Sequence, residues 1–182
     1  MYIHQRMINM NNTAFPKRRK ADRNPILIVE NDADQWLIIR SVLAQCFPEV
    51  EPIWVNNAAQ AVTYLENASL NKRKFPWLIL LELHLPYPKD GWALIELLKA
   101  NPSVQHVPLI ILSHSGEPNE IAKSYTLDVA SYIVKPTTYH KWMKCFYSFR
   151  SYWWEKVTLP RPSLTLEEEP ITAQLTLDTV SL

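Results

Sequence analysis

The segment Trp77–Pro86 has the sequence WLILLELHLP and carries the clearest sign of the fold. Its first five residues, Trp77–Leu81, are an unbroken apolar run, which is typical of a strand covered on both faces in a parallel sheet. Similar runs occur upstream at Ile26–Val29 and downstream at Leu109–Leu112. Each run stops at a polar residue, so the sequence predicts buried parallel strands whose ends carry polar side chains.

Segments with the apolar spacing of helices alternate with these runs. In the first segment, Leu37, Val42 and Cys46 are predicted to lie on one face. The predicted strands are Ile26–Val29, Ile53–Val55, Trp77–Leu81, Leu109–Leu112 and Ser131–Val134, and the predicted helices are Ala33–Cys46, Ala58–Glu66, Trp92–Ala100, Pro118–Leu127 and Thr138–Trp154. Five repeats of strand and helix predict an α/β domain with a doubly wound parallel sheet.

The composition excludes several classes of protein. Of 182 residues, 47% are hydrophobic and 20% are charged, and the formal net charge of +1 gives no reason to expect nucleic-acid or membrane binding. The chain has only two glycines, which excludes the glycine-rich loops that bind nucleotide phosphates. Its two cysteines, Cys46 and Cys145, are predicted to be buried thiols of a cytoplasmic protein.

The repeating pattern is confined to the middle of the chain. We expect a flexible basic extension over 1–24, the folded domain over 25–157 and a flexible acidic tail over 158–182. An alternative for the tail is an edge strand or partner-docking strand, because four of its leucines alternate in pairs with other residues. These are Leu164, Leu166, Leu175 and Leu177.

Four of the predicted strands end in residues that suit phosphate or metal chemistry. In a doubly wound sheet the carboxyl ends of the strands meet at one crevice, where binding sites form. Carboxylates are ligands for magnesium, whereas a hydroxyl and an ammonium group receive phosphate oxygens. The residues concerned are Glu30, Asn31, Glu82, Ser113 and Lys135.

These motifs resemble the response-regulator receiver family of two-component signalling over Asn24–Trp154. The strings LIVEND, WLILLELHLP, LIILS and SYIVKP match the family's motifs in order. The sequence is most similar to stand-alone receivers related to the phytochrome response regulators of cyanobacteria. The resemblance implies a flavodoxin-like receiver fold with strand order 2-1-3-4-5 and a cis Lys135–Pro136 bond.

The resemblance also implies a role for each residue at the crevice. Glu82 falls on the phosphate-accepting aspartate, and Lys135 falls on the lysine that pairs with phosphate. Ser113 falls on the switch hydroxyl and Tyr132 on the switch aromatic. The implied metal ligands are Glu30, Asn31, Glu82 and the backbone carbonyl of His84.

Two positions depart from the family pattern. Asn31 replaces a carboxylate by a neutral amide, and Asp32 is expected to point away from the crevice, so Mg²⁺ binding should be weak or absent. At Glu82 the extra methylene displaces the carboxylate, and a misplacement of about 1 Å can cost roughly 100-fold in rate. Three hypotheses stay open: a phosphate-independent receiver, a decayed scaffold, and residual phosphotransfer to Glu82.

Two further features allow less specific predictions. His84, His114 and Glu82 are a candidate transition-metal site, although lone loop histidines are usually unliganded. The last helix has one aromatic stripe that should cover the sheet and a second that favours a homodimer. The first stripe is Trp142, Phe146, Phe149 and Trp153, and the second is Met143, Tyr147, Arg150 and Trp154.

From the sequence we therefore expect a cytoplasmic signalling module and not an enzyme. Its expected partners are a sensor histidine kinase, a phosphotransfer protein or a downstream target, with no nucleic acid and no membrane. The alternatives are a receiver still phosphorylated at Glu82 and a purely structural interaction scaffold.

Overall fold

A computed structural model of the chain describes residues 23–70 and 75–159. Five strands form one sheet in the order β2-β1-β3-β4-β5, and every neighbouring pair is parallel. The strands are β1 Asn24–Val29, β2 Val50–Val55, β3 Leu78–Leu81, β4 Leu109–Ser113 and β5 Ser131–Val134. The helices are α1 Ala33–Cys46, α2 Ala58–Leu70, α3 Pro88–Ala100, α4 Pro118–Thr126 and α5 Tyr139–Arg150, followed by a π-helix, Ser151–Lys156. The predicted fold class and strand order are confirmed.

The largest differences from the predicted elements lie at their ends. Helix α3 begins at Pro88 and not at Trp92, because a proline is well suited to the first helical turn, where its missing N–H has no partner. Strand β2 begins at Val50, before Pro52, which is tolerated because β2 is an edge strand. The last predicted helix ends as an α-helix at Arg150 and continues as the π-helix.

Each face of the sheet carries its own hydrophobic core. Side chains alternate along β1, so Leu27 and Val29 pack on the face of α2 and α3, while Ile26 and Ile28 pack on the face of α1 and α5. This alternation explains why the strands are apolar throughout, as the sequence predicted.

The buried face of α1 differs from the prediction at one position. Leu37 was expected on the same face as Val42 and Cys46, but it is 56% exposed. The buried residues of α1 follow the helical spacing from Ile39 instead, through Val42, Leu43 and Cys46. The prediction for Leu37 was wrong because, at 3.6 residues per turn, its side chain points roughly 140° away from that of Val42 and about 180° away from that of Cys46.

The aromatic residues of α5 and the π-helix fill the second core. The first predicted stripe is buried, with Trp142, Phe146, Phe149 and Trp153 each at most 9% exposed. The π-helix also places Trp154 against the ring of Phe47, with a centroid distance of 5.7 Å, and against the ring of Trp77 at 5.5 Å. The C-terminal end of the domain therefore packs against its own sheet.

Several predictions concern parts of the chain outside the described residues. The basic extension up to residue 22 and the acidic tail from residue 160, including the alternative leucine strand, belong to these parts. In the ranges that the structure does describe, no helix combines the length and apolar character needed to cross a bilayer.

Candidate functional site

Four of the predicted residues meet at the carboxyl edge of the sheet. Glu30 follows β1, Glu82 follows β3, Ser113 ends β4 and Lys135 follows β5. All four are at most 4% exposed, although polar and charged side chains are rarely buried without partners. Their burial indicates that they form one connected polar site.

Lys135 lies between the two carboxylates. Its Nζ is 2.6 Å from Glu30 Oε2 and 2.7 Å from Glu82 Oε2, and its side chain is 1% exposed. Val134 points outward and Lys135 inward, as neighbouring residues of an extended chain do. The ammonium group thus bridges Glu30 and Glu82, which confirms the predicted ion pair with Glu82 and adds Glu30.

The second oxygen of Glu82 is also occupied. Ser113 Oγ donates a hydrogen bond to Glu82 Oε1 over 2.8 Å, and the backbone N of His84 donates to the same oxygen over 2.9 Å. Both oxygens of the Glu82 carboxylate therefore have partners. Charge-assisted hydrogen bonds of this kind are about twice as strong as neutral ones, so the carboxylate is firmly held.

The pKa of the Glu30 carboxyl is shifted by its surroundings. Burial raises the pKa of Glu30 above its ordinary value of 4.5, and the nearby Lys135 ammonium opposes that shift without cancelling it. The backbone N of Asp32 donates to Glu30 Oε1 over 3.1 Å, which lowers the pKa by a smaller amount. Burial therefore has the largest effect on the pKa of Glu30.

The raised pKa of Glu30 predicts a pH dependence of stability. The folded state retains the proton better than the unfolded state, so the stability from Glu30 is complete below pH 4.5 and is lost as pH rises through the folded pKa. In Glu30→Gln this loss should disappear, with a slope difference of at most about 1.4 kcal/mol per pH unit. Urea unfolding of both proteins between pH 4.5 and 7 measures it. Exposed Glu66→Gln is the control, and parallel curves for wild type and Glu30→Gln would contradict the prediction.

Tyr132 is close to the site but contacts the loop after β4. Its hydroxyl donates to the backbone carbonyl of Ser115 over 2.9 Å, and its ring packs against the core under α2 and α3. Burial raises the pKa of the Tyr132 hydroxyl, so the group stays protonated as a donor. Because the backbone N of Ser115 also donates to Ser113 Oγ over 3.4 Å, this loop is held from both sides.

The residues present leave the family's set of divalent-cation ligands incomplete. Asn31 is exposed and carries no charge, and Asp32 caps α1 by accepting from the backbone N of Asp34 and of Gln35. Across the described residues, no group of three or more histidine, cysteine or carboxylate side chains could hold a metal ion. A cation between Glu30 and Glu82 would have to displace the Lys135 ammonium. The backbone carbonyl of His84 was the predicted ligand, whereas the backbone contact seen in the site is the His84 N–H, which donates to Glu82 Oε1.

The alternative transition-metal site does not form either. His84 Nε2 lies 3.4 Å from Glu120 Oε1 on α4, and His114 is exposed. Glu120 was missed by the sequence reasoning because it lies 36 residues from His84 and belongs to no motif.

The cis peptide bond predicted at Lys135–Pro136 is not observed, and a different proline has a cis bond. Within the two ranges that the structure describes, the cis peptide is Leu85–Pro86, and Lys135–Pro136 is trans. The prediction for Lys135–Pro136 was wrong, yet the lysine still reaches both carboxylates. Its backbone N donates to the carbonyl of Ser113 over 2.7 Å, which extends the pairing of β5 with β4 and directs the side chain inward.

The loop after β3 is supported by a close approach of α3. Leu83 and Leu85 are buried on either side of His84. A Cβ atom at Gly91 would lie 2.0 Å from the carbonyl O of Leu83, so only glycine allows α3 to lie this near. No spacing pattern in the sequence indicated this packing role for Gly91.

The predicted dimer residues are mostly engaged within the domain. Met143 and Trp154 pack against the second core, and Arg150 pairs with Glu49 at 2.6 Å and with Glu155. Tyr147 is 54% exposed. The second stripe is therefore largely explained by intramolecular packing, and the homodimer stays a prediction.

Comparisons with known proteins agree with the fold. The family model described as "Response regulator receiver domain" matches residues 26–145. The chain is similar to the response regulator Rcp1 of Synechocystis, with 30% identity over 136 residues, covering 74% of this chain and 92% of Rcp1. The crystal structure of Mn²⁺-bound Rcp1 has a TM-score of 0.66 at 30% identity, covering 75% of this chain and 99% of that one. The phosphorylated cyanobacterial phytochrome response regulator RcpA has a TM-score of 0.68 at 29% identity, covering 76% and 99%.

Proposed function

The chain belongs to the response-regulator receiver family, and on that premise we propose that it is a receiver of two-component signalling that acts by protein–protein contact without being phosphorylated. Receivers are signalling modules, and the family resemblance assigns Ser113 and Lys135 to the phosphoryl group. In this chain both residues contact the carboxylate of Glu82 directly. That observation carries the proposal.

In this proposal the ammonium group of Lys135 takes the position between Glu30 and Glu82 that a divalent cation would occupy. A divalent cation and a phosphoryl group would together bring positive and negative charge to the crevice. Here the ammonium of Lys135 offsets the charge of Glu30 and Glu82, and the longer glutamate side chain brings its oxygens to Ser113. We therefore propose that Glu82 holds the site in an active-like state and that Mg²⁺ binds weakly or not at all.

Phosphotransfer to Glu82 is disfavoured on the same grounds. Phosphoryl transfer depends on in-line positioning and on a metal ion that neutralises the developing charge. Both oxygens of Glu82 already accept hydrogen bonds or an ion pair, and the set of metal ligands is incomplete. Rcp1 has been crystallised with Mn²⁺ and RcpA in phosphorylated form, so this difference would separate the chain from those two relatives.

The proposed partners are those of a receiver. We propose binding to a sensor histidine kinase, a phosphotransfer protein or a downstream target in the cytoplasm, and no binding to nucleic acid or membrane. A homodimer through α5 belongs to the same proposal. Of the residues predicted for that face, Tyr147 is the one whose side chain is exposed.

Wild-type protein incubated with acetyl phosphate and magnesium should gain no phosphoryl group. The reason is that Glu82 lacks both the position and the metal ion that the transfer requires. Intact-mass spectrometry measures the modification, and analytical ultracentrifugation with and without the phosphodonor measures association, which should be unchanged.

The double variant Glu82→Asp with Asn31→Asp is the matched positive control, because it restores the family's carboxylates at both positions. It should become phosphorylated, and its association should depend on the donor. Covalent phosphate on wild-type Glu82 would establish the phosphate-accepting alternative instead. Unchanged association in a folded Glu82→Gln variant would support the scaffold alternative, since the charge would then have no role.

A further inference from the structure

Helix α4 buries the fewest residues of the five α-helices that the structure describes. Ser124 is its one buried residue, whereas α1, α2, α3 and α5 each bury three or four. A helix with so little apolar burial is held mainly by individual side-chain contacts, and such elements open locally more easily than the core. The few contacts that α4 makes therefore decide how firmly it is positioned.

Two side-chain contacts connect α4 to the segment Glu82–Ala100. Glu120 Oε1 in the first turn of α4 lies 3.4 Å from His84 Nε2. One turn later, Lys123 Nζ lies 4.4 Å above the ring of Trp92 on α3, a cation–π contact. The first of these contacts involves the loop that begins at Glu82.

The imidazole of His84 has a fixed position because its backbone is fixed. Leu83 and Leu85 on either side are at most 3% exposed, and the His84 backbone N donates to Glu82 Oε1. The His84 side chain itself is 38% exposed and points to α4. One residue thus contacts the acceptor-position carboxylate through its backbone and α4 through its side chain.

The contact with His84 involves one of the two carboxylate oxygens of Glu120. Its side chain is 22% exposed, and Oε1 lies against His84. Its other oxygen, Oε2, is buried and has no hydrogen-bond partner among the described residues. A carboxylate in this position has already lost water on one side, so losing the His84 contact as well should be unfavourable for the docked helix.

We propose that His84 and Glu120 are positioning residues that tether α4 to the loop after Glu82. Through this tether, the loop that is hydrogen-bonded to Glu82 determines how firmly α4 lies against the domain. The consequence for signalling rests on the proposed function, but the tether itself does not. Its test involves no phosphodonor, so the two proposals fail separately.

A double-mutant cycle measured by hydrogen exchange tests the tether. The variants are His84→Ala, which keeps the backbone N–H on Glu82, Glu120→Ala, and the two combined. Amides of α4 in each single variant should lose roughly two- to fivefold in protection, the range for a partly exposed pair, while those of β1 and β3 keep theirs. The double variant should lose no more than Glu120→Ala alone, because the second change removes a contact already broken.

The cycle separates the tether from a simpler role of Glu120. A carboxylate in the first turn also stabilises a helix through its dipole, and that effect should be the same with or without His84. Additive losses in the double variant would therefore overturn the proposal, as would unchanged protection of α4 in His84→Ala. Asn119→Ala, an exposed change in the same turn, is the matched control and should leave protection unchanged. Lys123→Ala removes the second contact and should add to either single loss.

Discussion

Replacing Gly91 with alanine should destabilise the domain by about 3 kcal/mol or more, the upper part of the range for overpacked cores. The new Cβ would lie 2.0 Å from the carbonyl O of Leu83 and 2.7 Å from its carbonyl carbon. These are backbone atoms, which cannot rotate out of the way, so either α3 or the loop after β3 has to move. Because that loop provides the His84 N–H to Glu82, the variant should disturb the site as well. Urea unfolding followed by tryptophan fluorescence measures the loss.

Gly116→Ala is the matched control, since Gly91 and Gly116 are the two glycines of the chain. A Cβ at Gly116 would meet the nearest atom, Val134 Cγ2, at 3.8 Å, which is an ordinary contact. Its stability should change by less than about 1 kcal/mol. Equal stabilities for the two variants would show that α3 does not approach Leu83 as closely as described.

The strands were predictable because their burial is visible in the sequence. A continuous apolar run such as Trp77–Leu81 has to be buried on both faces of a sheet. Strand β3 lies at the centre of the sheet, as that run implies. The ends of the helices were less predictable, because α3 begins at a proline that also suits a loop. The face of α1 was misjudged at Leu37, because its spacing from Val42 and Cys46 places it on a different side of the helix.

The residues of the site could be predicted from the sequence, but the contacts between them could not. The end of each strand indicated Glu30, Glu82, Ser113 and Lys135, and the family resemblance supplied their roles. The sequence did not reveal that Lys135 bridges both carboxylates, because Glu30 and Lys135 are 105 residues apart in the chain and only the structure gives the distance between them. The same holds for His84 with Glu120 and for Gly91 against Leu83, because contacts of this kind leave no spacing pattern in the sequence.

Replacing Lys135 with methionine should destabilise the domain by about 3–5 kcal/mol at pH 7, because it leaves two carboxylates buried without a cation. Glu30 and Glu82 are 2% and 4% exposed, so water cannot readily replace the ammonium. The loss should be smaller at pH 5, where the folded variant can take up a proton on one of the two carboxylates. Urea unfolding at both pH values measures the effect. Lys144→Met, an exposed change on α5, is the control and should alter stability by less than about 0.5 kcal/mol.

The effect of magnesium on the Tm tests whether Lys135 takes the place of a metal ion or forms an ordinary structural ion pair. In the wild type, Lys135 already lies between Glu30 and Glu82, so millimolar Mg²⁺ should leave the Tm unchanged. In Lys135→Met the two carboxylates lack a cation, and Mg²⁺ that binds the folded form should raise the Tm. A wild-type Tm that rises as much as that of the variant would contradict the proposal that Lys135 takes the place of the metal ion. A variant that gains nothing from Mg²⁺ would show that Glu30 and Glu82, without a third carboxylate, are too few ligands to bind it.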